Sequence, residues 1–406
     1  MSITRPRYIA RYRAVTALEL ARLKRCRLVV ILGLDEWIRT GRREISEFIF
    51  RILLVIRNQI SRSDFEDVPR PLRRTLLIEN LSDSDAWNFT RFRKTELVRL
   101  LRSLQLPGSL SLENGTRVQS EELLIFGLMR LGCTCPTNHL VSNEYRDAFF
   151  SRELSQCSRM FSKFLWLMTE KAAELLFGRL PWWSGYFQQF SEAIRRKIRN
   201  QSGIEYSRNI VGFIDCTINV IERVGAGPDN RLSENANDEQ RSYYSGYKKI
   251  HGLKFQSLDS PFGMTMDLRG PVSARRNDLY VFRISGITDR LRQISEEAGL
   301  PEEEFFSIYG DAIYPATNCV VRRIGESVTD RALSRVRIAV EWDYGATKAL
   351  FPYLDYKKNM ALKHTNTSLL YLVATLFRNC HVACYGSNSS TYFGLTPPSL
   401  EEYLGH

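Results

Sequence analysis

The sequence predicts a mainly helical first half and, behind it, a mixed α/β domain. Three observations carry that expectation. Residues from 119 to about 200 keep apolar side chains at helical spacing almost throughout. Beyond the Ser-Gly break at Ser202 and Gly203 the texture changes to short apolar, β-branched runs of strand length. From there the elements read in the order β-β-β-α-β-α, which is the order of a mixed sheet rather than of a bundle or a sandwich.

The bulk composition agrees with a chain of this kind and narrows its partners. At 406 residues with 44% hydrophobic residues, the chain is long enough for two domains with real cores. Lys and Arg outnumber Asp and Glu by 57 to 45, a formal charge of +12, which favours a polyanionic partner, most simply nucleic acid. The 8 cysteines are scattered, and Cys133 and Cys135 lie too close for an easy mutual bridge, so free thiols in a reducing compartment are expected. No run approaches the roughly 18 apolar residues a membrane helix needs. The Arg-rich, acid-poor opening "MSITRPRYIARYRAVTALELARLKRCR" reads as a basic arm against DNA, a nuclear-import signal or an organellar presequence.

The elements then fall in three stretches, 1–118, 119–200 and 201–406. The first mixes basic, partly helical segments with polar breaks such as "LPGSLSLENGT" and has no readable role. In the second, "SEELLIFGLMRL" opens on a capping-box pattern at Ser120 and Glu122, and "SQCSRMFSKFLWLMTEKAAELL" keeps Met160, Phe161, Phe164, Leu165 and Met168 on one face. The polar connection "CTCPTNHLVSNEYRD" between them makes a candidate helix-turn-helix, with Ser155 to Lys163 as its second helix; a plain helical bundle is the competing reading. In the third stretch, "NIVGFIDCTINVI" reads as a strand. "KIHGLKFQSLD" and "GMTMDLRGPV" read as a hairpin about the turn "SPFG". One helix is expected over "NDLYVFRISGITDRLRQISEEAG", a strand over "FFSIY", and one helix from about Thr329 to Leu350. "AGPDNRLSENANDEQRS" is a long polar loop.

Two of these strands carry an acid where a core strand has no need of one. Asp215 stands inside "GFIDCTINV", and burying an unpaired carboxylate costs several kcal/mol. It must therefore be paired, metal-bound or at an exposed pleat position. Asp311 follows the apolar run "FFSIYG". A turn explains it as well as a site does, since a strand end is a rigid place from which to aim an acid. Glu341 is the third: at helical spacing it shares a face with Ser334, Arg337 and Lys348, while Val336, Val340 and Tyr344 lean to the core. Three separated acids suit hard divalent cations such as Mg²⁺ or Mn²⁺, and two such ions suit phosphodiester cleavage.

From about Ile210 onward the chain resembles the DDE nuclease domain of PIF/Harbinger-type transposases and Harbinger-derived nucleases. The segments that carry the resemblance are "GFIDCT", "YSGYKKIHGLKFQ", "GPVSARRNDLYVFRIS", "YGDAIYP" and "VRIAVEWDYGATK", in the family's order. The resemblance implies an RNase H-like fold with the family's acids on Asp215, Asp311 and Glu341. They would ligate two Mg²⁺ (or Mn²⁺) ions and cut double-stranded DNA at transposon ends. It also implies a Myb-like DNA-binding partner, a homo-oligomer, and work in the nucleus, with cytoplasmic residence where the partner is missing. Two positions depart from the family: Asn277 stands where relatives often have His, leaving Asp278 as a reserve acid, and Cys216 follows the first acid where a small residue is usual. A domesticated, non-catalytic DNA-binding or adaptor protein is the alternative, and an enzyme acting on RNA or hybrids a third reading.

The basic residues near these acids read as phosphate contacts: Lys248, Lys249, His251 and Lys254 on one strand, Arg275 and Arg276 before a helix, Arg337 and Lys348 beside Glu341. The strand lysines also suit a protected sheet edge. "CHVAC" with His364 invites a zinc reading but lacks two CxxC-type pairs, so core thiols are expected there. Asn80, Asn88 and Asn114 head glycosylation sequons that should be bare without a secretory signal.

Overall fold

The computed structural model describes residues 76–132, 154–222, 240–325, 327–355, 360 and 366–405. The basic opening, the connection of the candidate helix-turn-helix, most of the long polar loop and His364 lie outside the described residues.

The described residues open with helices α1 (Asp83–Thr90) and α2 (Lys94–Ser103), a small hairpin of β1 (Ser109–Ser111) and β2 (Arg117–Gln119), and α3 (Ser120–Leu131). The hairpin lies where only a polar break was expected. Nor does Ser120 cap α3: Gln119 holds the cap position without a side-chain bond, and the Ser120 hydroxyl donates to the Pro107 carbonyl. Helix α4 (Leu154–Phe177) runs 24 residues and is followed by the short α5 (Leu180–Trp183) and by α6 (Phe187–Ser202), which ends on left-handed Gly203.

The sheet comes next. Strands β3 (Asn209–Val220), β4 (Tyr244–Ser245), β5 (Ile250–Asp259), β6 (Thr265–Ser273), β7 (Phe306–Gly310) and β8 (Val320–Arg322) form one six-stranded mixed sheet in the order β4-β5-β3-β7-β8, with β6 on β5. The β5–β6 hairpin forms as expected about "SPFG", closed by the Ser260 amide on the Met264 carbonyl at 2.9 Å. β3 is central, antiparallel to β5 and parallel to β7.

Both long helices expected in this half are broken in two. Left-handed Gly286 (φ 60°) separates α7 (Asp278–Ser285) from α8 (Ile287–Glu297), because a residue in that conformation ends a helix. Arg337 separates α9 (Val328–Val336) from α10 (Ile338–Leu350). Helices α11 (Thr367–Tyr385), α12 (Asn388–Phe393) and α13 (Leu400–Leu404) close the chain.

Strand alternation sorts the helices onto two faces. On one, Phe255 stacks on Tyr371 of α11 (4.5 Å) and Phe213 on Phe393 of α12 (6.0 Å). Phe213 and Tyr309 there join Ile194, Leu333 and Val336 from α6 and α9 in one apolar cluster. On the other face, Tyr314 meets Phe282 of α7 edge-on, and Asp267 is clasped by Arg290 of α8. The larger core runs continuously from Leu76 to Tyr403, so the first helices bury their apolar faces together with the sheet.

Candidate active site

The site begins with strand register. Phe213 of β3 lies opposite Tyr309 of the parallel strand β7, and two residues further along each strand stand Asp215 and Asp311. Within a strand a two-residue step keeps the side on which a side chain projects, so Asp215 belongs with Phe213 to the face covered by α9 and α10, and Asp311 stands at the corresponding step just past the end of β7. Their local geometry matches: the amide of the next residue donates to Oδ1 in each, Cys216 to Asp215 at 2.8 Å and Ala312 to Asp311 at 2.7 Å. β7 ends at Gly310, so Asp311 is the first residue beyond the strand and is exposed.

Helix α10 approaches the same face. Arg337, at the α9–α10 break, sets Nη1 2.8 Å from Asp215 Oδ2 and Nη2 3.5 Å from Glu341 Oε1, one turn further on. The guanidinium therefore bridges two of the three acids. Burial pushes Asp215 above the usual carboxylate range, against the opposing pull of the Cys216 amide and Arg337. Behind it, the Tyr344 hydroxyl of α10 lies 2.8 Å from both the Asp215 carbonyl oxygen and Ser257 Oγ. Ser257 and Thr265 in turn bond Asp259, a fully buried carboxylate raised by its burial and eased by Arg378. This anchoring network escaped the sequence reading, because Asp259 stands before "SPFG" and looks like a turn residue.

The donor set fits a divalent cation in kind. Carboxylate oxygens are hard ligands, and a half-buried Asp215 requires positive charge beside it, which Arg337 supplies here. Among the described residues no group of three or more His, Cys, Asp or Glu side chains is gathered closely enough to hold a metal ion. Glu341 is tied to Asp215 through Arg337, while Asp311 stands apart from that pair, so the three do not converge.

The other residues separate. Asp278 lies with α7 on the opposite face, paired to Lys254 (Nζ to Oδ1, 2.6 Å), yet near enough for its charge to help raise Asp215, while Asn277 caps the helix by accepting from the Tyr280 amide. Lys254 is itself buried and also donates to the Arg276 carbonyl, so its charge is spent inside the fold. Lys248 and Lys249 are exposed at the β4–β5 turn, and the His251 ring lies 5.1 Å from Tyr244. Arg275 and Arg276 are exposed and line a cavity of about 360 Å³ with Ser242 and Ser273. Lys348 sits in the last turn of α10. Cys380 is fully buried, and His381 packs among the rings of Trp87, Phe92 and Tyr385.

Residues 214–379 match the family described as DDE superfamily endonuclease. That segment opens one residue before Asp215, takes in Asp311 and Glu341, and closes within α11. This part of the chain, which holds most of the mixed α/β sheet, is similar to a DDE-type endonuclease domain. No curated protein and no solved structure matched the chain.

Proposed function

We propose that the chain is a divalent-metal-dependent DNA endonuclease of the PIF/Harbinger transposase type, built on an RNase H-like domain over 201–406. The observation that carries this reading is that Asp215 within β3 and Asp311 just past the end of the parallel strand β7 stand the same two residues beyond the Phe213–Tyr309 pair, with Glu341 joined to Asp215 through Arg337. Asp215, Asp311 and Glu341 would hold Mg²⁺ or Mn²⁺. When bound, the ions activate the attacking oxygen and stabilise the leaving one.

The chain's own groups prepare that step. The Cys216 and Ala312 amides fix the two aspartates, and Tyr344 anchors the backbone of β3 beneath the first of them. Arg337 pairs with Asp215 and Glu341, opposing the effect of burial on Asp215, and its guanidinium is suited to take a phosphate oxygen of the substrate. Lys248, Lys249, Arg275, Arg276 and Lys348 would track the backbone of double-stranded DNA at transposon ends and target. The helical stretch 119–200, with its candidate helix-turn-helix, a Myb-like partner and a second copy of the chain would complete recognition in the nucleus. No helix among the described residues is long and apolar enough to cross a membrane.

One observation favours a second reading, a domesticated DNA-binding or adaptor protein. A guanidinium already pairs with both Asp215 and Glu341, an arrangement that a protein without a metal could keep for stability. Nicking of supercoiled plasmid in Mg²⁺ or Mn²⁺ separates the two. Wild-type protein is expected to nick, and Asp215→Asn and Asp311→Asn to lose at least about a hundredfold in rate, the scale on which removing transition-state charge stabilisation acts. No nicking by the wild type, with partner and cognate ends supplied, would leave the binding protein standing.

A further inference from the structure

The β4–β5 hairpin carries a feature that phosphate tracking does not explain. Strand pairing of Tyr244 with His251 and of Ser245 with Ile250 leaves a four-residue tip, Gly246 to Lys249. At that tip the Tyr247 side chain is 90% exposed, between residues that give it no cover. Lys248 Nζ lies 5.3 Å from its ring, and Lys249 holds a left-handed backbone (φ 54°), a conformation that a non-glycine residue adopts at a cost. Nearby, Tyr244 and Tyr280 are each 39% exposed, and Arg276 lies 4.7 Å over the Tyr280 ring.

These residues form one surface. The Ser273 hydroxyl donates to the Ser242 carbonyl, and the Ala274 amide to the Gly252 carbonyl. The Arg275–Arg276 turn is thereby tied to the flanks of the hairpin, and its cavity opens between them. The surface thus alternates cations with aromatic faces. Cations alone suffice to follow a phosphate backbone. A tyrosine hydroxyl can also reach a phosphate, but the open faces of the ring add affinity by meeting another π face, and paired B-form DNA offers none along its length, since every base is stacked and turned inward.

We infer that Tyr247 stacks on an unpaired base of the DNA substrate, while Lys248, Lys249, Arg275 and Arg276 hold the phosphates on either side of it. The inference rests on the proposal that this chain acts on DNA, and it adds the form of DNA recognised: a duplex with an extruded, frayed or single-stranded nucleotide. The position along the substrate is set by the sheet. β5 runs from the hairpin to Ser257, which pairs with Asp215. Eight residues separate Lys249 from Ser257, about 26 Å at the rise of a strand. The stacked base therefore lies several nucleotides from the bond aimed at Asp215, in the flank and not at the cut.

Binding without metal tests this independently of cleavage. The full chain, in EDTA, is titrated with two duplexes that differ only in whether one 2-aminopurine is paired or bulged. The wild type is expected to prefer the bulged duplex and to quench its fluorescence. Tyr247→Ala should cut affinity for the bulged duplex roughly 5- to 100-fold and abolish the quench, with little change on the paired one, and Tyr247→Trp should restore both. Lys248→Ala and Lys249→Ala should weaken both duplexes alike and each lower the salt slope by about one. Equal binding of the two duplexes by the wild type, or a Tyr247→Ala effect no larger on the bulged one, overturns the inference. A quench that persists in a chain that never nicks would support it while the nuclease reading fails.

Discussion

His381 shows how a single side chain can govern the stability of this chain in acid. Its ring is enclosed by Trp87, Phe92 and Tyr385, its Nε2 has no hydrogen-bond partner among the described residues, and Arg378 stands one turn before it. Burial, helped by repulsion from Arg378, lowers its pKa to about 4. In the unfolded chain the group titrates near 6.5, so between those values the unfolded state binds more protons. The neutral ring therefore contributes fully above about pH 6.5, and that contribution drains away as pH falls towards 4. The loss amounts to about 3 kcal/mol, since each pH unit of separation is worth about 1.4 kcal/mol. Chemical denaturation from pH 7 to 4 should thus show a flatter decline for His381→Phe, which keeps a ring among rings, than for wild type. Parallel declines would mean that His381 is protonated in the fold.

At the scale of elements, the strands were legible and the helix breaks were not. β3, β5, β6 and β7 announce themselves because each is an apolar, β-branched or aromatic run closed by a turn, and the mixed order comes from them. β1, β2 and β8 span three residues each, too few to show a period. Gly286 was a visible signal for a break, overridden by the helical spacing on both sides. Arg337 offered none. It keeps helical backbone angles (φ −63°, ψ −19°), and what singles it out is tertiary: its side chain is bonded to Asp215, 122 residues away. The same limit applies to the site. The acids stand out in the sequence only as candidates, and the bond from Arg337 to Asp215 could not be read there at all, because it depends on how the elements meet.

β7 also sets how closely Asp311 is held to its neighbour. Gly310 sits where a Cβ would come within 2.6 Å of the Tyr314 ring and 2.9 Å of Ile214 Cγ2, the residue before Asp215. Gly310→Ala must therefore displace the Tyr314 ring, the Ile214 side chain or the end of β7 itself. Overpacking of this kind costs about 1–3 kcal/mol. The variant should melt several degrees lower and, at a temperature where it is folded, nick plasmid more slowly than wild type. Alanine tolerated in both assays would show that these neighbours can give way without loss.

At the scale of the molecule, the continuous core decides which pieces can stand alone. Phe164 of α4 stacks on Phe377 of α11 at 5.7 Å, Phe187 of α6 meets Phe306 of β7 at 5.2 Å, and Phe190 meets Phe262 at 4.7 Å. Arg269 of β6 donates to the Phe177 carbonyl at the end of α4. The family match begins only at residue 214, yet the faces of β6, β7 and α11 that it contains are covered by helices that precede it. Removing those helices would expose fully buried side chains, including Phe377, at about 1.5–3 kcal/mol each, against a total stability of only about 5–15 kcal/mol for an ordinary domain. A fragment of residues 203–406 is therefore expected to lack a cooperative thermal transition and to bind a hydrophobic dye, whereas one of residues 72–406 should melt in a single step. A sharp transition in the shorter fragment would show that the sheet carries its own core, and that the helices before it are a separable module.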